Sequence, residues 1–368
     1  MKHVVLVGGG HSHVEVLRRI GAHPWPGVEL TLISPDRYTP YSGMLPGLVA
    51  GHYRFAECHI DLSALAARAH ARFIAERAHH LDLYSKRVRC ESGDELSYDL
   101  LALDIGSTPP LDDIAGARDR GLPVKPVDRF LAGWERIRIM ARTRTVRLLV
   151  VGGGAGGIEI ALAMQHRLRA EGSDGQFCIV SDTDKILPGH AAGVRGRMQR
   201  VLAARGVVVH LRTRVVAAEE GSARLQDGTP IPADAIVWAT GATAPAWLRE
   251  SGLATDERGF VLVNERLQTL SRPEVFASGD VATMAGHPRP KSGVYAVRQG
   301  PPLADNLRRA VTGETLEPYL PQPIALALIS TGERYAIASW GAFAWSGAWV
   351  WPWKDRIDRR FMQRYAEA

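Results

Sequence analysis

The sequence predicts an α/β protein built from two copies of one strand–glycine–helix unit, followed by a small C-terminal segment. An apolar run at residues 146–151 ends in a glycine-rich turn, and a helical pattern follows directly. Residues 4–17 show the same arrangement near the start of the chain. Each copy continues into a strand-rich stretch that closes on a glycine, so the pattern runs twice, over residues 4–107 and 146–241. Such a repeat predicts two Rossmann-like, three-layer domains with parallel sheets.

The glycines of the second copy, Gly152-x-Gly154-x-x-Gly157, have the spacing of a dinucleotide-binding turn. The first glycine allows a tight turn, the second lets the backbone approach a pyrophosphate, and the third lets the helix pack closely on the strand. The N–H groups at the start of that helix would point at the phosphates. An ordinary glycine-rich turn is the alternative, but the flanking strand and helix favour a nucleotide site.

The first copy departs from this spacing at one position. Gly8 and Gly10 match the first two glycines, but His13 stands at the third, where a side chain should push the helix slightly off the strand. A motif of this kind at the N-terminus is typical of the more permanently bound nucleotide, FAD. We therefore expect Gly8, Gly10, His11 and Ser12 to contact FAD, with simple helix packing as the alternative for both histidines.

Both copies end their second strand on a serine. Ser34 is followed two residues later by Asp36, and Ser181 is followed directly by Asp182. The adenosine ribose is usually held by an acidic residue about 20 residues after the glycines. A serine can still hydrogen-bond a ribose, so Ser34 is expected to do so for FAD. Asp182 favours NADH over NADPH without deciding between them.

Residues 38–47 contain two prolines and two glycines, which predict a loop of defined shape. Gly43 and Pro46 would let the backbone lie against a flat ring. Met44 and Pro46 are therefore expected to contact the cofactor. A surface loop without a ligand is the alternative interpretation.

After the second copy, the chain is predicted to return to the first. A short apolar strand ends at Gly279 and Asp280, where the carboxylate can accept hydrogen bonds from a ribityl hydroxyl; a helix cap is the alternative. Lys291 precedes a predicted helix that runs to about residue 310. The dipole of that helix would stabilise a reduced anionic flavin, and Lys291 would add positive charge unless it is simply solvated.

These elements predict the domain organisation. Residues 62–80 are expected to be helical and residues 84–102 to form a β-meander, and Pro109 and Pro110 mark a boundary near residue 112. The sequence thus predicts a discontinuous FAD-binding domain, an NAD(P)H-binding domain and a C-terminal segment, formed by residues 1–112 with 245–320, by 113–244 and by 321–368.

The C-terminal segment is rich in aromatic residues, with five of the nine tryptophans between residues 340 and 353. Trp353, Ile357, Phe361 and Tyr365 recur every four residues, which predicts one apolar face of a helix. The cations among them are Lys354, Arg356, Arg359 and Arg360. This combination is typical of helices that bind in the plane of a membrane interface. Packing against the body of the protein, or against a second subunit in a homodimer, is the alternative.

The composition, 46% hydrophobic and 23% charged, is that of a globular protein. No apolar run approaches the roughly 18–20 residues of a membrane span. The first strand begins directly after residue 3, so no signal peptide and a cytoplasmic location are expected. The three cysteines show no close pairing, which argues against a metal site or redox disulfide. The net charge of +6 is the one feature that would favour nucleic-acid binding, and charges scattered over the surface explain this net charge better.

Together these motifs resemble the two-dinucleotide-binding-domain flavoproteins of the pyridine nucleotide-disulfide oxidoreductase superfamily. Residues 36–46 and 157–159 are similar to type II NADH dehydrogenases. Residues 8–13, 41–47, 51–53 and 353–362 resemble more closely the flavoprotein module fused to selenide, water dikinase in some organisms. The resemblance implies one FAD per chain, NAD(P)H bound by the second domain, and no redox disulfide.

The resemblance also implies residue roles. Glu159 matches a glutamate near flavin and nicotinamide, and with Lys291 it is a candidate catalytic residue. Val294 and Arg298 stand where the dehydrogenases have quinone-site glutamines, and only Gln299 is retained, which puts the quinone in doubt. The remaining matched residues form two groups. FAD would be held by Gly8, Gly10, Ser34, Gly279 and Asp280. The nicotinamide dinucleotide would be held by Gly152, Gly154, Gly157, Asp182 and Gly241.

The expected function is an FAD-dependent NAD(P)H:acceptor oxidoreductase, peripheral on the cytoplasmic face of the membrane. Hydride would pass from nicotinamide to flavin N5, and electrons would then pass to a quinone-like acceptor. One alternative is an oxidoreductase of the same fold acting on a sulfur or selenium compound. The other is an NADH-responsive flavoprotein sensor or assembly factor.

Overall fold

The computed structural model describes residues 1–366. The first part of the chain alternates short helices with strands. In chain order it forms β1 (Lys2–Val7), α1 (His11–Ala22), β2 (Val28–Ile33), β3 (Tyr38–Pro40), α2 (Leu45–Ala50), α3 (Phe55–Cys58), β4 (His59–Asp61), α4 (Leu62–Arg68), β5 (Arg72–Ile74), β6 (Ala78–Asp82), β7 (Arg87–Cys90), β8 (Glu95–Ser97) and β9 (Leu100–Leu103).

The middle part repeats the alternation. Its elements are α5 (Ala117–Arg120), β10 (Gly121–Pro123), α6 (Val127–Ala141), β11 (Val146–Val151), α7 (Ala155–Ala170), β12 (Gly175–Val180), α8 (Ala192–Ala204), β13 (Val208–His210), β14 (Val215–Glu219), β15 (Ser222–Leu225), β16 (Pro230–Pro232) and β17 (Ala235–Trp238).

The last part supplies elements to the first sheet and then forms a hairpin and a terminal helix. Its elements are α9 (Trp247–Glu250), β18 (Val261–Val263), β19 (Val275–Ala277), a 3-10 turn (Gly279–Val281), β20 (Ala282–Met284), α10 (Gly293–Thr312), β21 (Ala327–Thr331), β22 (Glu333–Trp340), β23 (Phe343–Gly347) and α11 (Val350–Ala366).

Two five-stranded parallel sheets have the same arrangement of four strands and differ in where the chain supplies the fifth, which is the last strand of the first sheet and the earliest strand of the second. The first has the order β19-β9-β1-β2-β5, and the second has the order β10-β17-β11-β12-β13. An antiparallel three-stranded sheet accompanies each, formed by β6–β8 in one case and β14–β16 in the other. The central strands β1 and β11 are apolar because both faces of each sheet are covered. In the second sheet, helices α6 and α7 cover one face of β11, and the antiparallel strands β14 and β15 pack against the other. The predicted α/β fold with a duplicated Rossmann-like unit is confirmed. We call the two sheets and their helices the first and the second unit.

The return of the chain completes the first unit. Strand β19 pairs in parallel with β9 as its edge strand, with Phe276 opposite Ala102. Helix α10 then packs on α1, where Gly300 lets the two helices approach at the level of Glu15. The hydroxyl of Ser12 donates a hydrogen bond of 2.8 Å to the carbonyl oxygen of Ala296. The carboxyl end of the first sheet is therefore built from segments almost 300 residues apart in sequence.

The prediction of one helix over residues 62–80 is wrong. Helix α4 begins at Asp61, whose carboxylate accepts the N–H of Ala64, and it ends at Arg68. The chain reverses at His70, which has a φ of +51°, and Phe73 then pairs with Leu32 as part of strand β5. Pairing with the edge of the sheet outweighs the local helical pattern, because it buries the apolar residues and satisfies their backbone groups.

The prediction of one apolar face on the terminal helix is also wrong. Phe361 and Tyr365 are each 6% exposed, whereas Trp353 is 38% and Ile357 is 42% exposed. Each step of four residues advances the helix by about 40° beyond a full turn, so Trp353 and Tyr365 lie roughly 120° apart around the axis. Within residues 1–366, no helix is long and apolar enough to cross a membrane.

Candidate active site

The first glycine turn joins β1 to α1 and rests against the residue that follows β9. Gly8 has a φ of +97°, and a Cβ there would collide with the backbone carbonyl of Asp104. The N–H of Gly10 donates to that same carbonyl over 3.1 Å. A Cβ on Gly10 would in turn meet the carboxylate of Asp104. Both glycines are therefore required by the close approach of Asp104, which sequence reasoning did not single out.

His13 fills the space that the third glycine would leave. Its imidazole is fully buried, and Nδ1 lies 2.7 Å from the carbonyl oxygen of Gly8. In the second unit, a Cβ on Gly157 would collide with the equivalent carbonyl of Gly152. Burial lowers the pKa of His13 to about 4 and outweighs the bond to Gly8, so this imidazole is neutral. Helix packing describes the role of His13.

His11 and Ser12 begin α1. The ring of His11 is 5.5 Å from the ring of Tyr41 and 5.8 Å from that of Phe361, measured between centroids. Its Nε2 is buried without a hydrogen-bond partner among the described residues. Burial lowers the pKa of His11 to about 4, the carboxylate of Asp280 opposing this effect. His11 is thus a neutral ring at the start of the helix.

The turn after β19 lies beside the first glycine turn. Gly279 has a φ of +69°, and its N–H donates a 2.6 Å hydrogen bond to Oε1 of Gln299 on α10. The adjoining Asp280 accepts a 2.9 Å bond from Nζ of Lys125. Gln299 is the glutamine that the sequence analysis considered as part of a quinone site. In the structure its side chain instead holds Gly279 in position. Lys125 was not singled out from the sequence, because 155 residues separate it from Asp280.

The second glycine turn has free space beside the start of its helix, whereas Asp104 occupies the corresponding space in the first turn. Gly152 has a φ of +133° and packs against the carbonyl of Ala239. Around Gly154, which precedes α7, no atom lies within 4 Å of the place that a Cβ would take, and the same holds at Gly156. The first N–H groups of a helix have no partners within the helix. Free space beside them fits the approach of a pyrophosphate to the backbone.

The two serines occupy equivalent places. A Cβ on Gly9 would stand 3.2 Å from Oγ of Ser34, and one on Gly153 would stand 2.8 Å from Oγ of Ser181. The hydroxyl of Ser34 donates to the carbonyl of Asp36 over 3.2 Å. Asp182 is exposed beside Ser181. Each serine thus lies directly against its glycine turn.

Gly241 follows β17 at the same edge of the second sheet. A Cβ there would stand 3.5 Å from Nη2 of Arg258. The structure therefore brings Gly241 to the edge that carries Gly152 and Gly154, because β17 pairs with β11.

Glu159 lies in the first half of α7 and is partly buried, with its carboxyl group turned toward Ser330. One of its carboxylate oxygens accepts the backbone N–H of Ser330 at 2.8 Å and the hydroxyl of Ser330 at 2.9 Å. Burial raises the pKa of Glu159, while the charge of Lys354 and both bonds from Ser330 oppose the rise. Glu159 is therefore a buried carboxyl group that holds its proton to higher pH than a free glutamate.

Lys354 links the C-terminal helix to the loop after β3. Its Nζ donates to the carbonyl of Gly43 and to Oδ2 of Asp358, both at 2.6 Å. The sequence placed Lys354 among the exposed cations of an interfacial helix, but the structure buries it. The pair Lys354 and Asp358 has ordinary i, i+4 spacing, so no sequence signal separates it from a surface pair.

Lys291 has partners within the protein. Its Nζ donates to the carbonyl of Ala282 and to Oγ1 of Thr283, and lies 3.9 Å from the ring centre of Phe260. Burial lowers the pKa of Lys291 to about 8, although Asp256 and Asp280 raise it. Its ammonium group is thus held at the turn that follows Asp280.

Met44 and Pro46 lie where the predicted loop meets α2. The side chain of Met44 is fully buried beside Tyr53 and Cys58. Pro46 is in the first turn of α2, a helix that packs on α7 of the second unit. Together with Ser330, Tyr53 and Lys354, Pro46 lines a narrow cleft close to Glu159.

Residues 2–300 of the chain match a known protein family. The family is described as pyridine nucleotide-disulphide oxidoreductase, and the match includes both glycine turns. The chain belongs to this family. The prediction of an FAD-dependent NAD(P)H oxidoreductase is confirmed at this level.

Two curated relatives match nearly the whole chain. Demethylphylloquinone reductase NdbB from Synechocystis sp. is 26% identical over 355 residues, which cover 92% of this chain and 85% of the relative. NADH dehydrogenase-like protein YutJ from Bacillus subtilis is 25% identical over 329 residues, covering 88% and 87% of the two chains. The resemblance to type II NADH dehydrogenases is confirmed by such relatives. The likeness to the module fused to selenide, water dikinase stays a prediction.

Two solved structures share the fold. The sulfide:quinone oxidoreductase from Aquifex aeolicus superposes with a TM-score of 0.83 at 18% identity, covering 99% of this chain and 91% of that one. NDH2 from Plasmodium falciparum, solved in complex with NADH, has a TM-score of 0.76 at 14% identity, with 100% and 98% covered. At these identities the likeness shows the fold alone.

The three cysteines are separate from one another; Cys58 and Cys90 are buried, and Cys178 is partly buried. Burial raises the pKa of Cys58 to about 12 and those of Cys90 and Cys178 to about 11. All three are free thiols in the described part of the chain. Since the thiolate is the reactive form, none of them is suited to disulfide exchange or to attack on a sulfur substrate. This argues against the sulfur alternative raised from the sequence.

Proposed function

We propose that this protein is an FAD-dependent NAD(P)H dehydrogenase that passes electrons to a quinone-like acceptor. The observation that carries the proposal is the pair of glycine turns, each at the carboxyl edge of a parallel sheet in which four strands have the same arrangement. Dinucleotides bind at this edge in such sheets. Two equivalent edges in one chain give one site to the flavin and one to the nicotinamide.

The first unit is the proposed FAD site, formed by residues 1–112 and 245–320. Gly8, Gly10, His11 and Ser12 would surround the diphosphate, Ser34 the adenosine ribose, and Gly279 with Asp280 the ribityl chain. The contact of α10 with Gly279 through Gln299 holds these segments together. Met44 and Pro46 belong to the loop that would flank the flavin ring.

The second unit, residues 113–244, is the proposed nicotinamide dinucleotide site. The open backbone at Gly154 would receive the pyrophosphate, with Gly152 and Gly157 shaping the turn. Asp182 would meet the ribose, and Gly241 would line the path toward the flavin. NADH is slightly preferred over NADPH because Asp182 is negatively charged and would repel a 2′-phosphate.

When bound, FAD supplies the hydride and electron chemistry between nicotinamide and acceptor. The chain has to align the two nucleotides, exclude water and move protons. Glu159 is the proposed proton carrier, because it is a buried carboxyl group with a raised pKa, held in place by Ser330. Lys354 would position the loop at Gly43, and Lys291 the turn at Asp280.

The cleft beside Glu159 is the proposed approach for the acceptor. Pro46, Tyr53, Trp351 and Lys354 line it, and Ser330 connects it to the carboxylate of Glu159. Its lining combines aromatic side chains with one cation, groups that can contact the ring and oxygens of a quinone. The cleft as it stands has room for about one water molecule, so a quinone would have to widen it. The name of one similar protein, demethylphylloquinone reductase, supports this acceptor class.

Two exposed aromatic groups support docking on a lipid surface. Trp340, Phe343 and Trp345 lie on the hairpin of β22 and β23, and Phe343 is 61% exposed. Trp349 and Trp353 stack in parallel at 6.5 Å at the start of α11. Helix α8, which carries three arginines, contacts the hairpin. Aromatic side chains beside cations suit the interface of an anionic bilayer.

Serine in place of Phe343, Trp349 and Trp353 is expected to release the protein from vesicles of anionic lipid. These side chains are exposed, so the fold and the flavin should be retained. Co-sedimentation with vesicles measures the change, which we expect to exceed tenfold. A truncation is less suitable, because α11 also carries the buried Lys354 and Asp358.

The matched control for this experiment replaces Tyr84 and Leu270 with serine, since both are exposed and lie far from the hairpin in sequence. The control should bind vesicles like the wild type. Equal binding by the triple variant would refute the proposed docking surface. Release of the control to the same extent would refute it as well.

The direct test of the proposed function is an anaerobic titration of the purified protein with NADH, followed through the visible flavin spectrum. Stoichiometric bleaching, reversed by a quinone, is the expected result. A yellow protein that NADH and NADPH both fail to bleach would remove the dehydrogenase activity. A colourless protein that takes up no FAD would overturn the proposal completely.

A further inference from the structure

Asp104 is a buried carboxyl group enclosed by the glycine segments of the first unit. It follows β9 and is 3% exposed. Its Oδ2 accepts the backbone N–H of Ser12 at 2.8 Å and, more weakly, that of His13 at 3.4 Å. Added Cβ atoms on Gly10 and on Gly279 would both collide with this carboxylate. The side chain thus occupies the first turn of α1, where the diphosphate of FAD is proposed to bind.

The second unit has no such carboxylate. Ala239 follows β17 as Asp104 follows β9, and its carbonyl contacts Gly152 as that of Asp104 contacts Gly8. The start of α7 is consequently open, with no atom near the Cβ position of Gly154. Asp104 is therefore the acidic group that distinguishes the first turn from the second, beside the two histidines of α1.

The surroundings of Asp104 do not neutralise a negative charge. From α1 it faces His11 and His13, whose pKa values burial lowers to about 4, so both are neutral. From the turn after β19 it faces Asp280, a second carboxylate, whose partner is Lys125. From α10 it faces Ala296. An FAD diphosphate would add two negative charges next to these two carboxylates.

We propose that Asp104 makes FAD binding proton-coupled, because this carboxyl group has to be protonated for the diphosphate to occupy the first glycine turn. The inference rests on the proposed FAD site and adds a control of its occupancy. Protonation removes one of the like charges and leaves the dipole of α1 to the diphosphate. One proton is taken up for each FAD bound whenever Asp104 is ionised in the empty site.

The pKa of Asp104 places this coupling in the neutral range. Burial raises it to about 7; the N–H groups of Ser12 and His13 oppose the rise, and Asp280 adds to it. Bound diphosphate raises the pKa further, so affinity for FAD is full below pH 7 and falls as pH rises above it. For one coupled proton the dissociation constant increases about tenfold per pH unit.

The test measures FAD release from the holoprotein on dilution at pH 6, 7, 8 and 9, using the fluorescence of free FAD. The wild type should lose affinity about 50-fold between pH 7 and 9, because Asp104 is already half ionised at pH 7. Asp104→Asn keeps the size of the side chain and an oxygen acceptor for Ser12 but cannot ionise. Its affinity should change less than threefold over the same range and should exceed that of the wild type at pH 9.

Two controls accompany this measurement. Asp104→Ala introduces alanine, the residue that the second turn has at the matching position, Ala239. Its affinity for FAD should vary with pH as little as that of Asp104→Asn. Two variants are used so that the test can still be made if one of them fails to fold. NADH binding to the wild type, at the turn with Ala239, should change less than threefold between pH 7 and 9.

Three results would overturn the proposal: a flat wild-type profile, parallel losses in wild type and both variants, or a parallel loss of NADH affinity. Failure of the proposed function is distinguishable, because the wild type would then bind no FAD at any pH. A wild type that holds FAD equally from pH 6 to 9 would reject the role of Asp104 alone.

Discussion

Gly154→Val is expected to abolish the reduction of bound FAD by NADH while the FAD stays in place. No atom lies within 4 Å of the Cβ position of Gly154, and this empty space is where a pyrophosphate would approach the start of α7. A branched side chain would fill it and keep the phosphates away from the N–H groups. The first unit, which holds the proposed FAD site, is unchanged.

Anaerobic titration with NADH measures the effect. Bleaching should be absent at stoichiometric NADH, whereas the absorbance of the bound flavin should equal that of the wild type. Gly196→Val is the matched control, because Gly196 lies on α8 of the same unit and is equally free of neighbours. The control should bleach normally. Normal bleaching of Gly154→Val would contradict the placement of the nicotinamide site.

Glu159→Gln is expected to slow one half-reaction by more than tenfold, a typical size for a positioned acid or base. The amide keeps the length of the side chain, and its oxygen can still accept the N–H and hydroxyl of Ser330. It cannot exchange a proton. Burial raises the pKa of Glu159, so the wild-type rate should vary with pH above the range of a free carboxyl group, and the variant should lose this dependence.

Stopped-flow measurements with NADH and with a soluble quinone separate the two half-reactions. Glu220→Gln, in an exposed turn of the second unit, is the control for removing a carboxylate without changing the site. It should retain wild-type rates and pH profiles. If Glu159→Gln keeps both rates as well, Glu159 has no catalytic role and its burial serves only to anchor the C-terminal segment through Ser330.

The glycine turns could be predicted from the sequence because their requirements are local. A strand, a tight turn and a helix occupy about 20 consecutive residues, and only glycine tolerates the positive φ and the close carbonyls at Gly8 and Gly152. Repetition of this pattern in one chain predicted the duplicated fold, and the resemblance to the family rested on it together with the strand that ends at Gly279 and Asp280.

Contacts between distant segments could not be predicted in this way. Ser330 meets Glu159 across 171 residues and Lys354 meets Gly43 across 311. Nothing in the local sequence distinguishes this serine from a surface serine, or this lysine from a cation on an interfacial helix. Both interactions arise because strand β21, which carries Ser330, and helix α11, which carries Lys354, fold back onto the two units.

The helix predicted over residues 62–80 and the apolar face predicted on α11 failed for the same reason. A local pattern states which conformations are acceptable, and burial against the rest of the chain then selects among them. At Phe73 a sheet edge was available, and at Phe361 the ring of Tyr41 lies 4.2 Å away in a stacked arrangement. The sequence alone determined the fold and its two glycine turns. The tertiary structure alone decided which charges are buried beside them, because burial depends on neighbours that are remote along the chain.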